Sequence, residues 1–345
     1  MKLKADLFSD TGTRPSAEMR AAMAAAEVGD EQLGEDPTVN RLCRMVAEIL
    51  GKDDAIYLPS GLMANQISFA VHTQPGDEII MDQTAHPLHF ESAAAAVISG
   101  AAINPLAGQG GIFTADQVES ALRDHDYHSP RSRVISIEQT TNLGGGRIWP
   151  LAEIAKIADL AAENQLKMHL DGARLFNASV ASGVEPIAYA QYFDSIWIDL
   201  SKGLGAPVGS VLAGSAEFIE AARFWKQRLG GAMRQAGIIA AGGVYALENN
   251  IERLKEDHLH ARMLAETIAD QPGLEINPEL VESNIVIFTV QSGESDLFAD
   301  ELLKKGIRVS RIAGKLRAVT HLDLNRDAIR YTVKNIEKTA RKLFS

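Results

Sequence analysis

Short apolar runs of four to six residues alternate with amphipathic helical stretches as far as residue 213, and this alternation constrains the fold more than any other feature of the 345-residue chain. The runs lie at 55–58, 78–81, 134–137, 166–170, 196–200 and 208–213. Strands of that length separated by helices of ten or more residues make βαβ units and a mostly parallel sheet. The intervening helices carry their own signals. Val39, Leu42, Cys43, Val46 and Leu50 fall on one helical stripe that Gly51 ends, and Cys43 is read there as core filling. An Ala-rich helix follows Pro15, Thr114-Ala115-Asp116-Gln117 has the form of a capping box, and Leu151, Ile154, Ala155, Ala158 and Ala161 share a face after Pro150. Helical patterns fill 234–270, and a smaller α+β segment follows Pro272-Gly273. The expected organisation is an N-terminal arm (1–15), a large domain (16–250) and a small C-terminal domain (251–345).

Composition excludes several classes. With 34 Lys+Arg against 45 Asp+Glu the formal charge is −11, which argues against nucleic acid as a partner. No apolar run approaches the ~20 residues of a membrane span. The start, Met1-Lys2-Leu3-Lys4-Ala5-Asp6, lacks the apolar stretch of a signal peptide, so a cytoplasmic location is expected. One cysteine excludes internal disulfides, and no His, Asp or Glu cluster has zinc-ligand spacing, so no metal site is expected. Gly108-Gln109-Gly110-Gly111 and Gly144-Gly145-Gly146 lack dinucleotide-binding spacing and read as turns.

Ligands of an open parallel sheet bind beyond the C-terminal ends of its strands. The run 166–170 leads into Asp171-Gly172-Ala173-Arg174, the run 196–200 into Ser201-Lys202-Gly203, and Tyr57-Leu58 into Pro59-Ser60-Gly61-Leu62 at a helix start. One rim of the sheet then holds an acid, a lysine and a helix N-terminus. That set suits pyridoxal 5'-phosphate. Its aldehyde needs a lysine, Lys202, and its ring nitrogen needs a carboxylate, Asp171. Its phosphate needs unpaired backbone N–H groups, which Ser60, Gly61 and Leu62 can offer.

On these motifs the chain resembles the L-threonine aldolases of the β-eliminating lyase group, pyridoxal phosphate enzymes of aspartate-aminotransferase fold. The similarity extends from Ser9-Asp10-Thr11 to Thr320-His321-Leu322-Asp323, and is strongest at 34–40, 169–177, 201–210 and 234–237. It implies an α/β fold with a mostly parallel seven-stranded sheet and a smaller C-terminal α+β domain. It also implies roles: Lys202 as the cofactor-binding lysine beside Ser201, Asp171 as partner of the ring nitrogen, and Ser9, Arg174 and Arg317 on the substrate carboxylate. His86 would stack on the cofactor, His128 would be a second substrate-side histidine, and Arg234 would reach a neighbouring subunit's phosphate. The implied protein is a homo-oligomer, a tetramer built from dimers, that cleaves L-threonine or L-allo-threonine to glycine and an aldehyde.

Three positions depart from the family pattern. Leu33 replaces a tyrosine ahead of Gly34-Glu35-Asp36-Pro37. Glu138-Gln139-Thr140-Thr141-Asn142 replaces Glu-Asn-Thr-His-Asn, with Gln139 still able to reach the cofactor's phenolic oxygen. Ser92-Ala93-Ala94 stands where a glycine pair is common. A β-eliminating lyase, a phenylserine-type aldolase and a non-catalytic α/β binding protein stay open as alternatives.

Overall fold

The computed structural model describes residues 3–124 and 126–344. Its strands are β1 (Ala5–Leu7), β2 (Asp54–Leu58), β3 (Asp77–Asp82), β4 (Ala102–Leu106), β5 (Arg131–Glu138), β6 (Lys167–Gly172), β7 (Ser195–Asp199), β8 (Ser210–Gly214), β9 (Leu274–Glu275), β10 (Ile285–Val290), β11 (Ile307–Ile312) and β12 (Lys315–Val319). Seven of them form the large sheet in the order β2-β8-β7-β6-β5-β3-β4. Pairing is parallel throughout β4, β3, β5, β6 and β7, whereas β8 runs antiparallel to both β7 and β2. Only β8 is reversed, so β2, β3, β5, β6 and β7 all end on one rim.

Apolar residues of these strands, among them Tyr57, Ile80, Ile135, Leu170 and Ile198, pack with helical residues such as Leu42, Val46, Ile154 and Val244 in the main core. The helix Pro37–Leu50 is set by both ends. Asp36 accepts hydrogen bonds from the Thr38 and Val39 N–H groups, and Gly51 turns left-handed at φ 61°. Cys43 packs against the core, and burial pushes its thiol up to about 12, which suits a filler rather than a nucleophile. The capping box at Thr114 and Gln117 is formed in full.

A second, five-stranded sheet has the order β1-β11-β12-β10-β9. β1 joins it by pairing parallel with β11, so the N-terminal segment is stitched to the C-terminal one. The segment carrying Gly145 (φ 96°) and Gly146 (φ 73°) turns against this unit, where Ser283 Oγ donates to Gly146 O at 2.7 Å and Arg147 Nε donates to Glu282 at 2.7 Å. Asn284 Nδ2 donates to Asp10 Oδ2 at 3.1 Å. The two sheets therefore meet over the rim where the strands of the large sheet end. Among the described residues, no helix is long and apolar enough to cross a membrane.

Candidate active site

Five strand ends build the site. β2 leads into Ser60, whose Oγ accepts from Met63 N at 3.2 Å and caps the helix Gly61–His72. Gly61 is required there, since a Cβ at this position would fall 2.1 Å from the Trp197 ring. β3 leads into the short turn that carries His86, β5 ends at Glu138, β6 carries Asp171, and β7 ends two residues before Ser201-Lys202. Ser9, Ser60, Gly61, Leu62, His86, Asp171, Arg174, Ser201, Lys202 and Arg317 line one cavity of about 570 Å³.

Asp171 is almost fully buried. Its Oδ2 accepts from Asn65 Nδ2 at 2.9 Å and its Oδ1 from Ala173 N at 3.1 Å. Burial raises its carboxyl above the ordinary value, against the charges of Lys202 and His86. Lys202 Nζ lies 3.1 Å from Asp199 Oδ2 and 5.7 Å from the centre of the Trp197 ring. Asp199 in turn accepts from the Ser201 N–H and hydroxyl at 2.7 and 2.9 Å.

The two arginines are held by opposite means. Arg174 donates from Nε and Nη2 to the two oxygens of Asp10 at 2.7 and 2.8 Å. Burial alone would raise the Asp10 carboxyl, but Arg174 and, more weakly, Lys202 hold it well below the usual range. Arg317 meets neutral acceptors: Ser310 Oγ at 3.1 Å, Asn142 Oδ1 at 2.7 Å and Phe8 O at 3.3 Å. Burial, with Arg174 nearby, lowers its guanidinium to about 10. Arg317 has no carboxylate partner among the described residues, so the cavity holds a cation that an anionic ligand can neutralise.

His86 Nδ1 lies 2.8 Å from Glu91 Oε1. Burial works to lower this imidazole, yet the Glu91 hydrogen bond and the charge of Asp171 raise it above its ordinary value. Glu138 Oε2 accepts from Asn142 N at 2.8 Å, and burial beside Asp171 pushes its carboxyl up to about 7.

Three residues nominated from sequence lie off this lining. Gln139 is buried with its Oε1 accepting from Trp149 N at 3.2 Å, so its amide turns back into the protein, and Asn142 lines the cavity in its stead. His128 precedes the first residue of β5 while the cavity lies past the last, a separation of roughly 25 Å at the rise of an extended strand. Its Nδ1 lies 2.8 Å from Asp126 Oδ1 in an exposed turn. Arg234 is exposed and donates to Asp30 Oδ2 at 2.9 Å. Neither His128 nor Arg234 lines this cavity.

Asp10, Asn65, Glu91, Asn142 and Asp199 were not nominated from sequence. Asp199 had a usable signal, being an acid at a strand end three residues before a lysine. Asp10, Asn65 and Asn142 act through partners distant in the chain, whereas Glu91 also meets His86 five residues before it.

This rim places the chain in a class. The family model described as beta-eliminating lyase matches residues 6–291, and the chain belongs to that family. Within it, the chain is 40% identical to the low specificity L-threonine aldolase of Escherichia coli K12, over 94% of this chain and 96% of that one. It is 35% identical to the low specificity L-threonine aldolase of Saccharomyces cerevisiae, over 94% and 83% respectively. Among solved structures, the threonine aldolase of Leishmania major superposes with a TM-score of 0.82 at 19% identity, covering 97% of this chain and 100% of that one. The aspartate aminotransferase of Rhizobium meliloti gives 0.73 at 14% identity, over 100% and 92%. The fold is aspartate-aminotransferase-like.

Proposed function

We propose that this chain is a carbon–carbon lyase that uses pyridoxal 5'-phosphate to cleave β-hydroxy-α-amino acids of the L-threonine and L-allo-threonine type into glycine and an aldehyde. The observation that carries this reading is one cavity holding Lys202, a buried carboxylate at Asp171 and a guanidinium at Arg317 with no anionic partner among the described residues.

The residues fit the cofactor. Asp171 is a buried acid facing a cavity, and a cationic ring nitrogen would supply the charge that keeps it ionised. Lys202 is the amine for the aldehyde. The first N–H groups of the helix after Ser60 are an anion-binding end. When bound, the cofactor supplies an electron sink for the carbon–carbon bond that breaks.

The protein's own groups do the rest. Arg317 and the Nη1 of Arg174 bind the substrate carboxylate, with Ser9 beside them, and so fix which bond at Cα stands in the reactive orientation. His86 Nε2 accepts the β-hydroxyl proton directly or through a water. Asp171 keeps its partner nitrogen positive. Asp199 and Trp197 hold Lys202 at the cavity wall.

Sites of this kind are completed between subunits in our reading. Arg234 and Leu33 stand on exposed loops tied to one another: Glu31 N donates to Arg234 O at 3.0 Å, Gln32 Nε2 donates to Met233 O at 3.2 Å, and Lys226 pairs with Glu31. One rigid corner then presents both residues to a neighbour, in a dimer-built homotetramer acting in the cytoplasm.

The test is chemical. Borohydride should fix the cofactor on the peptide containing Lys202, and incubation with threonine should release glycine and acetaldehyde. Ammonia and a keto acid in their place would assign β-elimination, and label on another lysine would reject the site.

A further inference from the structure

Glu91 is a fully buried carboxylate at this cavity that the proposed chemistry does not use. It receives three polar groups. Asn65 Nδ2 donates to Oε1 at 2.8 Å, Gln66 Nε2 donates to Oε2 at 2.6 Å, and His86 Nδ1 lies 2.8 Å from Oε1. An ionised carboxylate only accepts, so the proton of this last contact sits on Nδ1 and the His86 Nε2 lone pair is left free.

The Asn65 amide joins this pair to the other buried acid. Its Nδ2 donates to Glu91 at 2.8 Å and to Asp171 Oδ2 at 2.9 Å. The amide cannot sit the other way round. Trp197 Nε1, which can only donate, lies 2.6 Å from Asn65 Oδ1, and His169 Nε2 lies 3.0 Å from the same oxygen. His169 is locked in its turn. Burial pushes it down to about 3, so it stays neutral and donates from Nε2, and its Nδ1 faces Ser195 Oγ at 2.8 Å.

We propose that Glu91 is the positioning residue of His86, fixing its proton on Nδ1, and that through the shared Asn65 amide it holds the base and the Asp171 carboxylate as one hydrogen-bonded unit. This rests on the aldolase reading for the use made of His86, but the arrangement itself does not. The charged groups around His86 are Glu91, Asp171, Glu138 and Lys202, and only Glu91 is in hydrogen-bond contact with it.

Glu91→Gln is nearly isosteric; it removes the charge and turns one acceptor oxygen into an NH2 donor, which Gln66 can meet by turning its amide oxygen toward it. NMR of the imidazole nitrogens in the purified protein, with and without pyridoxal phosphate, should show the His86 pKa falling by about one unit or more and the Nδ1–H form losing its dominance. Turnover of threonine should fall about 100-fold with KM nearly unchanged, and its pH midpoint should move down with the imidazole. Glu91→Asp, which keeps the charge, should restore part of both. Asn65→Ala should disturb the His86 titration although it does not touch that ring, and should weaken pyridoxal phosphate binding. An unchanged His86 titration in Glu91→Gln would overturn the positioning role, and a silent Asn65→Ala would overturn the shared unit. If the wild type releases no aldehyde, the aldolase reading fails while the titration still decides on Glu91.

Discussion

Asp10 shows at the scale of a single residue why part of this site could not be read from sequence. Ser9 and Arg174 were nominated because they sit in recognisable motifs. Asp10 stands next to the nominated Ser9, yet its partner is 164 positions away and meets it only once β6 and the N-terminal segment come together. The pair is fully buried, and removing one member of a buried pair strands the other charge. Asp10→Asn should therefore lower stability by about 3–5 kcal/mol in denaturant unfolding and raise KM more than it lowers cofactor occupancy. The pH sign follows from the direction of the shift. The Asp10 carboxyl is held well below its ordinary value in the folded state, so its contribution is present above about pH 4 and is lost as pH falls through the folded value. The variant should show a shallower acid limb, and an acid limb as steep as that of the wild type would mean that other carboxylates carry it.

At the scale of elements, the strands with continuous apolar runs were legible: six runs correspond to β2, β3, β5, β6, β7 and β8, within three residues at their ends. β4 was not read, because Ala102–Leu106 contains Pro105 and exposes much of its length. It lies at the edge of the sheet, where a missing N–H is tolerated. The helix Gly61–His72 was recognised from its start, but its closeness to Trp197 was not, since that contact depends on β7 lying under it. Gly61→Ala would place a methyl group into that ring, so the helix N-terminus must shift. We expect a stability loss of about 1–3 kcal/mol and weaker pyridoxal phosphate binding, read by calorimetry and by cofactor titration. Cofactor affinity equal to wild type would show that this helix end does not hold the phosphate. The segment after Glu91 tells a related story. Ser92 and Ala93 adopt φ 52° and 57°, a left-handed conformation that glycine takes without strain, in the region where the family commonly has a glycine pair. Ala93→Gly should raise the thermal midpoint slightly, its relief of about 1 kcal/mol being partly offset by added chain entropy in the unfolded state. A lowered midpoint would show that the Ala93 methyl packs usefully.

At the scale of the whole molecule, the proposal that sites are shared between subunits has a test that one chain cannot mimic. Arg234 and Leu33 lie away from their own cavity, and Leu33 is 69% exposed. Lys202→Ala should be inactive, and Arg234→Ala should be nearly so at cofactor concentrations that leave it unloaded. When the two variants are mixed under conditions of subunit exchange, half the pairs are hybrids, and each hybrid has one site with both lesions and one with none. Activity should then recover to about a quarter of wild type, the value for random pairing in a two-fold assembly. If Arg234 served its own chain's cavity, every site would carry one lesion and nothing would recover. The same hybrids locate Leu33. The intact site takes its lysine from the Arg234→Ala chain and its neighbouring loop from the Lys202→Ala chain. Leu33→Tyr placed on the Lys202→Ala chain should change the ratio of kcat/KM for threonine and allo-threonine, because a hydroxyl near the β-carbon discriminates between its two configurations. Placed on the Arg234→Ala chain, the same substitution should leave the ratio as it was. A ratio that moves in neither arrangement would make Leu33 a packing residue of the subunit contact, and one that moves only in the second would put Leu33 in its own chain's site.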